Sequence, residues 1–440
     1  MSPIDLFKHA EENALFERVC DLQILREAFR AVKRNGGAPG IDGVTIEEFG
    51  DRLPEELTQL KNDLESWSYQ PQPVRRVEIP KPDGKGVRLL GVPTIRDRVV
   101  QASIKSILEP ILDPGFSEGS YGFRPGRNQS QAVNQAKQTV RSGKKWVVDI
   151  DLSKFFDRIS HDRLIQRLRL KVPDKRILRL VGLTLRSGIM ERGTVLPTTE
   201  GSVQGSPLSP LLSNVVLDEL DKELERRGLS FCRFADDCNI FAGSKLAAER
   251  LMVSLTKFIE KRLKLVVNQE KSKVAISSYI KFLGMTIIAG SIAISHVSMK
   301  RAHEKVKELT LRGTHECIEQ SVRRINRWYM GWSGYYRMTD YPSQLHIVEA
   351  HIRRRLRARI VSQQKKRRHL FEKLVKRGVA RRVAARHVYS NKNRWALADT
   401  KALHQGYPNR WFAQMGLKTR STDELEHWKP LRAWVPWRKA

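Results

Sequence analysis

Two adjacent carboxylates, Asp236 and Asp237, lie in the stretch LSFCRFADDCNIFAGS, residues 229–244, among apolar and β-prone residues. Adjacent negative charges repel each other, and carboxylates are seldom buried unless they are paired or bind a metal. Asp is also a common turn residue, so a solvated hairpin turn is the simpler interpretation of the pair taken alone. The choice between a turn and a metal site therefore depends on the other acidic residues of the chain.

A second set of carboxylates lies in the stretch WVVDIDL, residues 146–152, which has the alternation of a strand. Asp149 and Asp151 share one face of that strand with Val147. Brought together with Asp236 and Asp237, they would suit Mg²⁺, which takes one or two carboxylates plus phosphate oxygens. Two such ions can clamp the attacking and leaving oxygens in phosphoryl transfer, which is the chemistry that these residues predict.

The net charge of the chain indicates an anionic partner. The sequence has 80 Lys and Arg against 48 Asp and Glu, a formal net charge of +32. Residues 300–390 carry +17 of this excess, residues 391–440 carry +6 and residues 1–299 carry +9. We expect a more neutral core region followed by a basic region that binds nucleic acid. An acidic membrane surface is the alternative, but no apolar run is long enough to span a bilayer.

The four cysteines are too few and too scattered for a disulfide framework or a zinc site. A reducing, cytoplasmic compartment fits this usage.

Strand and helix patterns alternate irregularly up to about residue 295, which predicts an α+β fold. Residues 74–92 predict a hairpin around the turn-forming segment PKPDGKG. Residues 206–227 predict a helix, and short strands flank the Asp pair. Residues from about 297 to 390 are predicted to be mostly helical. A length of 440 residues favours two or three domains.

Several motifs, in this order, resemble those of reverse transcriptases: DLSKFFDRISHDRL, QGSPLSPLLSN, RFADDCNIF and KFLGM. The third resembles the Tyr-x-Asp-Asp signature, with Phe234 in place of Tyr. The stretches GGAPGIDGVT, IPKPDGKGVRLLGVPTIRDRVVQ, YGFRPGR and YMGWSGYYR resemble, more specifically, the bacterial group II intron reverse transcriptase–maturases. The resemblance covers nearly the whole chain.

This resemblance implies a right-hand polymerase, with fingers and a palm built on antiparallel sheet, followed by an α-helical thumb or maturase domain. The expected domains are fingers and palm at 1–295, the helical thumb/maturase (X) domain at 296–390 and a Trp-rich basic, DNA-binding-like tail at 391–440. The family often ends in a Cys- and His-rich endonuclease module. No cysteine follows Cys317, so that module is expected to be absent and the DNA primer to come from a nick or a replication fork.

The resemblance also implies the catalytic residues. The family places its first catalytic Asp six residues before the Asp of FFD, here Asp157, which selects Asp151 over Asp149. Asp236 would be the second ligand and Asp237 a weaker or nearby one. Together they would hold two Mg²⁺ ions, for which Mn²⁺ could substitute.

Other residues are expected to handle the nucleotide. Phe156 falls at the steric gate that favours dNTPs over NTPs, although core packing is an open alternative. Lys81 and Arg88 would grip the triphosphate, and Gln204 and Gly205 would approach the templating pair. Lys271 is the expected acid for the leaving pyrophosphate, with Lys273 as the alternative.

A final group is expected to contact nucleic acid. The primer-grip residues are Phe282, Leu283 and Gly284. Nine basic residues between Arg353 and Arg368 predict an anionic partner, and the expected contacts are Arg353, Arg354, Arg357, Lys365, Lys366, Arg367 and Arg368.

The implied function is RNA-directed DNA synthesis together with binding of group II intron RNA, which assists splicing and mobility in a bacterial cytoplasm. The expected partners are intron RNA, an RNA template with a DNA primer, a DNA target and dNTPs, and no membrane. Two alternatives remain open: a related reverse transcriptase recruited for host defence or DNA repair, and a splicing-only maturase with a silent polymerase site.

Overall fold

The computed structural model describes residues 14–80, 86–191, 193–311, 316–364 and 366–420. They divide into two compact units, with the boundary between Ile276 and Ser277. None of the helices within these ranges is long and apolar enough to cross a membrane. The predicted combination of sheet and helix, with a helical C-terminal region, is confirmed.

The first unit packs helices around two sheets. The helices are α1 (Leu15–Cys20), α2 (Leu22–Asn35), α3 (Ile46–Asp51), α4 (Leu53–Glu65), α5 (Ile95–Leu112), α6 (Gln129–Arg141), α7 (His161–Arg169), α8 (Lys175–Leu185), α9 (Ser209–Arg226) and α10 (Lys245–Phe258). The strands are β1 (Val74–Pro80), β2 (Val87–Val92), β3 (Trp146–Ile150), β4 (Ile189–Glu191), β5 (Thr194–Leu196), β6 (Ser230–Phe234), β7 (Asp237–Ala242) and β8 (Lys273–Ile276).

The two sheets of this unit have the orders β2-β1-β4-β5 and β6-β7-β3-β8. The predicted hairpin at 74–92 is present as the antiparallel pair β1–β2, which runs from Arg75↔Val92 to Pro80↔Val87. The strand predicted from WVVDIDL is β3, which lies inside the second sheet between β7 and β8. Antiparallel pairing places Ile150 opposite Cys238. The C-terminal end of β3 therefore meets the start of β7, next to the Asp pair.

The apolar face of α9 packs in the same hydrophobic core as the second sheet. Leu211, Leu212, Val215 and Leu220 recur at helical spacing and are all buried in the same core cluster as Ile150. Pro210 in the first turn suits the start of a helix, because its missing N–H would have had no partner there.

The second unit is helical apart from one hairpin. Its helices are α11 (His296–Leu309), α12 (Ile318–Tyr336), α13 (Ser343–Gln363), α14 (Arg367–Lys376), α15 (Arg381–Val388), α16 (Arg394–Leu397), α17 (Lys401–Gly406) and α18 (Asn409–Gln414). The hairpin pairs β9 (Met285–Ile288) with β10 (Ser291–Ile294). Gln344 of α13 binds β10 by accepting from the N–H of Ile294 at 2.7 Å and donating to its carbonyl at 3.0 Å.

Buried arginines of α13 bind the C-terminal ends of other segments. Arg355 donates to the Thr310 side chain at 2.9 Å and to the Thr310 carbonyl at 3.0 Å, where α11 ends. Arg357 donates to the Tyr407 carbonyl at 2.9 Å, directly after α17. The last carbonyls of a helix lack intrahelical partners and carry partial negative charge, so a guanidinium satisfies both needs.

These contacts correct one expectation from the sequence. Arg355, Arg357 and Arg359 are only 8%, 2% and 0% exposed, so this part of the basic run does not face an external anion. Arg357, expected to contact nucleic acid, is instead a structural residue. Five donors in a fixed fork let each guanidinium satisfy several carbonyls inside the protein.

Charge reversal at Arg357 should therefore act on folding. Burial lowers the pKa of Arg357 to about 10, and Arg357→Glu would place a carboxylate against carbonyl oxygens. We expect the free energy of unfolding to fall by about 3–5 kcal/mol, as when a buried charge loses its partners. Arg368→Glu is the matched control, because Arg368 is exposed, and its unfolding midpoint in urea should stay near that of the parent protein. Equal midpoints for the two variants would contradict the structural role of Arg357.

Candidate active site

The Asp pair lies at a tight hairpin turn. Phe234 of β6 pairs with Asp237 of β7, so only Ala235 and Asp236 connect the strands. Ala235 has a φ of 57°, the left-handed conformation that such two-residue connections require. Asp236 is half-buried and Asp237 is exposed. The hairpin turn is therefore real, but it does not exclude a functional site, because it holds Asp236 at the end of the sheet.

Gly122 is required by the close approach of another loop to this turn. A Cβ at Gly122 would lie 2.3 Å from the nitrogen of Ala235. The Gly122 carbonyl accepts a hydrogen bond from the side chain of Asn214 at 2.9 Å. The motif YGFRPGR, which contains Gly122, thus packs against the backbone of the turn.

A buried ion pair holds the β6–β7 hairpin against α9. Arg233 donates to Asp221 of α9 at 2.7 Å, and both side chains are 0% exposed. The same guanidinium donates to the Asn214 side chain at 3.0 Å and to the Ala235 carbonyl at 2.9 Å. Arg233 therefore ties the turn residue before Asp236 directly to α9.

Asp151 immediately follows β3, and its backbone is held on both sides. Its N–H donates to Ser272 Oγ at 3.0 Å, and its carbonyl accepts from the N–H of Asn268 at 2.8 Å. These contacts leave the carboxylate partly exposed, with 39% of the side chain accessible. Asp149 instead sits within the sheet, paired with Asn239 and Lys273.

The carboxylate of Asp236 lies within the electrostatic influence of Asp151. Burial raises the pKa of Asp236, and the negative charge of Asp151 raises it further. The positive charges of Arg88 and Arg233 act in the opposite direction. Arg88, expected to bind the triphosphate, is thus close enough to influence the carboxylate of Asp236.

Lys271, the expected proton donor, lies beside the carboxylate of Asp151. Lys271 Nζ is 4.0 Å from Asp151 Oδ1, and 63% of the Lys271 side chain is exposed. The alternative, Lys273, lies opposite Asp149 in β8. Lys271 is therefore the better placed of the two.

The donor set fits a metal that completes its shell with a substrate. Within the described residues there is no group of three or more His, Cys, Asp and Glu side chains that could hold a metal by itself. The pair of Asp151 and Asp236 matches the preference of Mg²⁺ for one or two carboxylates plus phosphate oxygens. Deprotonated carboxylates are needed for such binding, and an approaching cation would offset the mutual repulsion of Asp151 and Asp236.

The expected templating loop lines a groove of about 650 Å³. The N–H of Gly91 donates to the Gln204 carbonyl at 2.9 Å. Gly205 has a φ of 113°, and a Cβ there would lie 2.7 Å from the Gly91 carbonyl. The close approach of β2 therefore requires glycine at this position. Lys154, Arg158 and Lys264 also line the groove and bring positive charge that the motifs did not single out.

Phe156, the expected gate residue, lies in a short 3₁₀ segment, Phe155–Arg158. It is partly buried against the core cluster, and its ring meets that of Phe155 edge-on at 5.1 Å between centroids. Its carbonyl accepts from the N–H of Ser202 at 2.7 Å. Packing and gating are compatible here, because the ring is only partly covered.

The expected primer-grip residues belong to the second unit. Phe282 is 6% exposed, and the N–H and carbonyl of Phe282 both bond Met285 at 2.9 Å. Leu283 has a φ of 50°, and its carbonyl accepts from Tyr335. A Cβ at Gly284 would lie 2.6 Å from the Tyr336 hydroxyl. KFLGM is therefore held rigidly against α12.

The basic candidates of the second unit differ in exposure. Lys366 and Arg368 are exposed, and Arg368 pairs with Glu372 at 2.8 Å. Arg367 donates to the Val388 carbonyl at 2.8 Å, at the end of α15. Arg353 and Arg354 are half-buried, and Arg354 pairs with Asp399 at 3.2 Å.

Some predictions fall outside the described residues. These are the contacts of Lys81 and Lys365, part of the tail at 391–440, and the start of the N-terminal segment.

Arg233 and Asp221 are the important residues that the sequence reasoning missed. The available signal was an arginine inside the apolar strand SFCRF, which requires a buried partner. The identity of that partner depends on α9 packing against β6, which no local pattern specifies.

Residues 79–287 match the family Reverse transcriptase (RNA-dependent DNA polymerase), and residues 299–378 match Group II intron, maturase-specific domain. Protein YkfC of Escherichia coli is 35% identical over 305 residues, covering 60% of this chain and 80% of YkfC. The group II intron-encoded protein LtrA of Lactococcus lactis is 33% identical over 276 residues, covering 61% of this chain and 44% of LtrA. A putative COX1/OXI3 intron 2 protein of Saccharomyces cerevisiae is 35% identical over 216 residues, covering 48% of this chain and 25% of that protein. The matches thus span less than half of the latter two proteins.

The ion pair beneath the turn provides a stability prediction. Arg233→Met would leave the Asp221 carboxylate buried without its partner, so we expect the free energy of unfolding in urea to fall by about 3–5 kcal/mol. The double variant Arg233→Met/Asp221→Leu removes both charges and should recover part of that loss. Arg226→Met is the control, because Arg226 is exposed beside Glu223. If Arg233→Met unfolded at the same urea concentration as Arg226→Met, the anchoring role would be refuted.

Proposed function

The chain belongs to the reverse transcriptase family and carries a group II intron maturase-specific domain, and from that premise we propose how its residues act. We propose that the first unit extends a DNA primer on an RNA template through two Mg²⁺ ions held by Asp151 and Asp236, with Asp237 nearby. We propose further that the second unit binds group II intron RNA and thereby assists splicing and mobility. The observation that carries the first proposal is the sheet geometry, in which Ile150 pairs with Cys238, so that Asp151 after β3 and Asp236 before β7 lie at one end of the sheet.

The proposed reaction joins the primer 3′-oxygen to the α-phosphorus of a dNTP and releases pyrophosphate. When bound, the metal ions would supply charge stabilisation to the attacking and leaving oxygens. Arg88 would hold the triphosphate by charge-assisted hydrogen bonds. Lys271 would supply a proton to the departing pyrophosphate, and the Phe156 ring would collide with a ribonucleotide 2′-hydroxyl. Lys81 is proposed to assist Arg88.

The second proposal rests on charge and family together. Of the residues expected to contact nucleic acid, Lys366, Arg367 and Arg368 are exposed. Single-stranded or structured RNA supplies the phosphates that such cations bind. The DNA target and the primer source belong to the same proposal.

Asp236→Asn should abolish DNA synthesis while leaving RNA affinity nearly unchanged. Replacing a ligand carboxylate by an amide weakens the stabilisation of developing charge, and we expect extension to fall about 10²–10³-fold. The assay is extension of a DNA primer on an RNA template with Mg²⁺, run separately with dNTPs and NTPs. Asp149→Asn is the control, since it alters the other carboxylate of the same strand region. Retained extension in Asp236→Asn would overturn the metal-site assignment, and loss of extension only in Asp149→Asn would transfer the role to that residue.

The affinity for RNA should fall as the salt concentration rises, and Lys366 and Arg368 should contribute to the slope of that dependence. Each phosphate contact contributes roughly 0.7–0.9 to the slope of log affinity against log salt. Lys366→Glu/Arg368→Glu should weaken binding and flatten that slope, whereas the first-unit control Lys222→Glu should not. Titrations would compare group II intron RNA, an unrelated structured RNA and duplex DNA. Equal affinity for all three, or an unchanged slope in the double variant, would contradict intron recognition by this unit.

A further inference from the structure

A second cleft, of about 480 Å³, lies among three helices of the second unit. His296, Lys300, His303 and Lys307 line it from α11, where their spacing places them on one helix face. His351 and Arg355 line it from α13, and Trp395 lines it from α16. Its volume is within the range of small-ligand sites, about 300–1,000 Å³. None of the roles assigned above uses this cleft.

An imidazole pair forms its centre. The rings of His303 and His351 lie 4.7 Å apart between centroids, at 45°. Nε2 of His303 is buried and has no hydrogen-bond partner among the described residues. Burial lowers the pKa of His303, and burial together with nearby His303 and Arg355 lowers the pKa of His351 to about 4. Both rings are therefore neutral near pH 7, and a neutral ring offers one donor and one acceptor.

The positive charge around His303 and His351 disfavours a cation as the ligand of the cleft. Lys300 and Lys307 line the cleft with positive charge, against one carboxylate from Glu304, whereas the guanidinium of Arg355 at the same wall is already bound to Thr310. Neither Lys300 nor Lys307 forms an ion pair within the described part of the chain. A divalent metal would be repelled by this excess, although neutral histidines are good metal ligands. An anion would be attracted.

The aromatic lining gives the cleft a surface for a flat ring. His351 meets Trp395 edge-on at 5.7 Å between ring centroids. The Arg354 guanidinium lies 4.2 Å from the centroid of the Trp395 ring. Arg354 also pairs with Asp399 at 3.2 Å, which holds the guanidinium in place. Aromatic rings and guanidinium planes are the surfaces on which unpaired bases stack.

The spacing of Lys300 and Lys307 suits a nucleotide inside an RNA chain, which has a phosphate on each side, better than a nucleotide at a chain end. Lys300 and Lys307 are seven residues apart on one helix, which places their backbones about 10 Å apart. Flexible side chains at that distance can reach the phosphates on either side of one extruded nucleotide. A paired base cannot present its edge and both faces in this way.

We propose that the cleft binds one unpaired ribonucleotide within a structured RNA, with its base against His303, His351 and Trp395 and its flanking phosphates on Lys300 and Lys307. This inference rests on the proposed RNA-binding function of the second unit and names the RNA feature that it recognises. The unpartnered Nε2 of His303 would gain a hydrogen bond from the base edge.

The test uses the full-length protein and an RNA hairpin carrying one bulged 5-iodouridine, a photoreactive base that crosslinks to aromatic side chains. We expect mass spectrometry to locate the crosslink at His351 or Trp395. Lys300→Gln/Lys307→Gln should lower the crosslink yield at least about tenfold, because it removes two charge-assisted contacts and the loss of one alone has an effect of about that size. Arg301→Gln/Lys305→Gln is the matched control, because it removes two charges from the opposite face of α11 and should retain the crosslink.

The variant His303→Phe tests recognition of the base without changing the charge of the cleft or the fold. His303→Phe keeps a ring of similar shape but removes the nitrogen, so it should reduce the preference for the bulged hairpin over an unbulged one without lowering the melting temperature. The pocket would be refuted by a crosslink elsewhere, by equal losses in both glutamine double variants, or by equal binding of hairpins with and without the bulge. It would also be refuted if the same bulge in DNA crosslinked equally well. In those outcomes the intron-RNA titration can still succeed, whereas failure of the wild-type protein to bind any RNA would refute the proposed function as well.

Discussion

The ion pair between Arg233 and Asp221 is the constraint on which the catalytic end of the first unit depends. Both side chains are fully buried, and Arg233 also donates to Asn214 and to the Ala235 carbonyl. Such a pair contributes little net stability against an apolar replacement, but it is costly to break on one side. It therefore specifies geometry. The hydrogen bond from the guanidinium to the Ala235 carbonyl holds the turn that carries Asp236 against α9.

The ion pair of Arg233 and Asp221 is neutral as a pair, whereas Asp151 and Asp236 place two carboxylates at the same end of the sheet. Burial and the negative charge of Asp151 raise the pKa of Asp236, whereas the nearby cation Arg88 lowers it. The protein thus places two carboxylates where an additional cation would relieve their repulsion, with a substrate phosphate as the remaining ligand. The two adjacent aspartates therefore have different settings: Asp236 is half-buried in the turn, and Asp237 is exposed at the start of β7. The proposed metal ligation would compensate the charge of Asp236.

The second unit treats positive charge in two ways. Arg355 and Arg357 are used internally, where they satisfy carbonyl groups directly after helix ends, and Arg359 binds the Glu316 carbonyl ahead of α12. Lys300, Lys307, Lys366 and Arg368 face outward. Net charge alone therefore overstates the surface offered to RNA. Arginine suits the internal role because its planar fork binds several oxygens at once, whereas lysine is a flexible point charge suited to mobile phosphates.

The choice of Asp151 and Asp236 rests on the resemblance to reverse transcriptases and stays a prediction. The sequence by itself determined the order and spacing of the polymerase motifs, the hairpin at 74–92 and the helical character of the C-terminal region. These follow from local periodicity and from motif residues that are close in the chain. Only the tertiary structure decided that Arg357 is internal, that Asp221 is the partner of Arg233, and that His303 meets His351 beside Trp395. Each of these pairings joins residues from separate elements, and whether a charge is exposed depends on what packs over it. A strand or helix pattern specifies which face is apolar, but the partner that covers a polar group on it is set by the packing of distant segments.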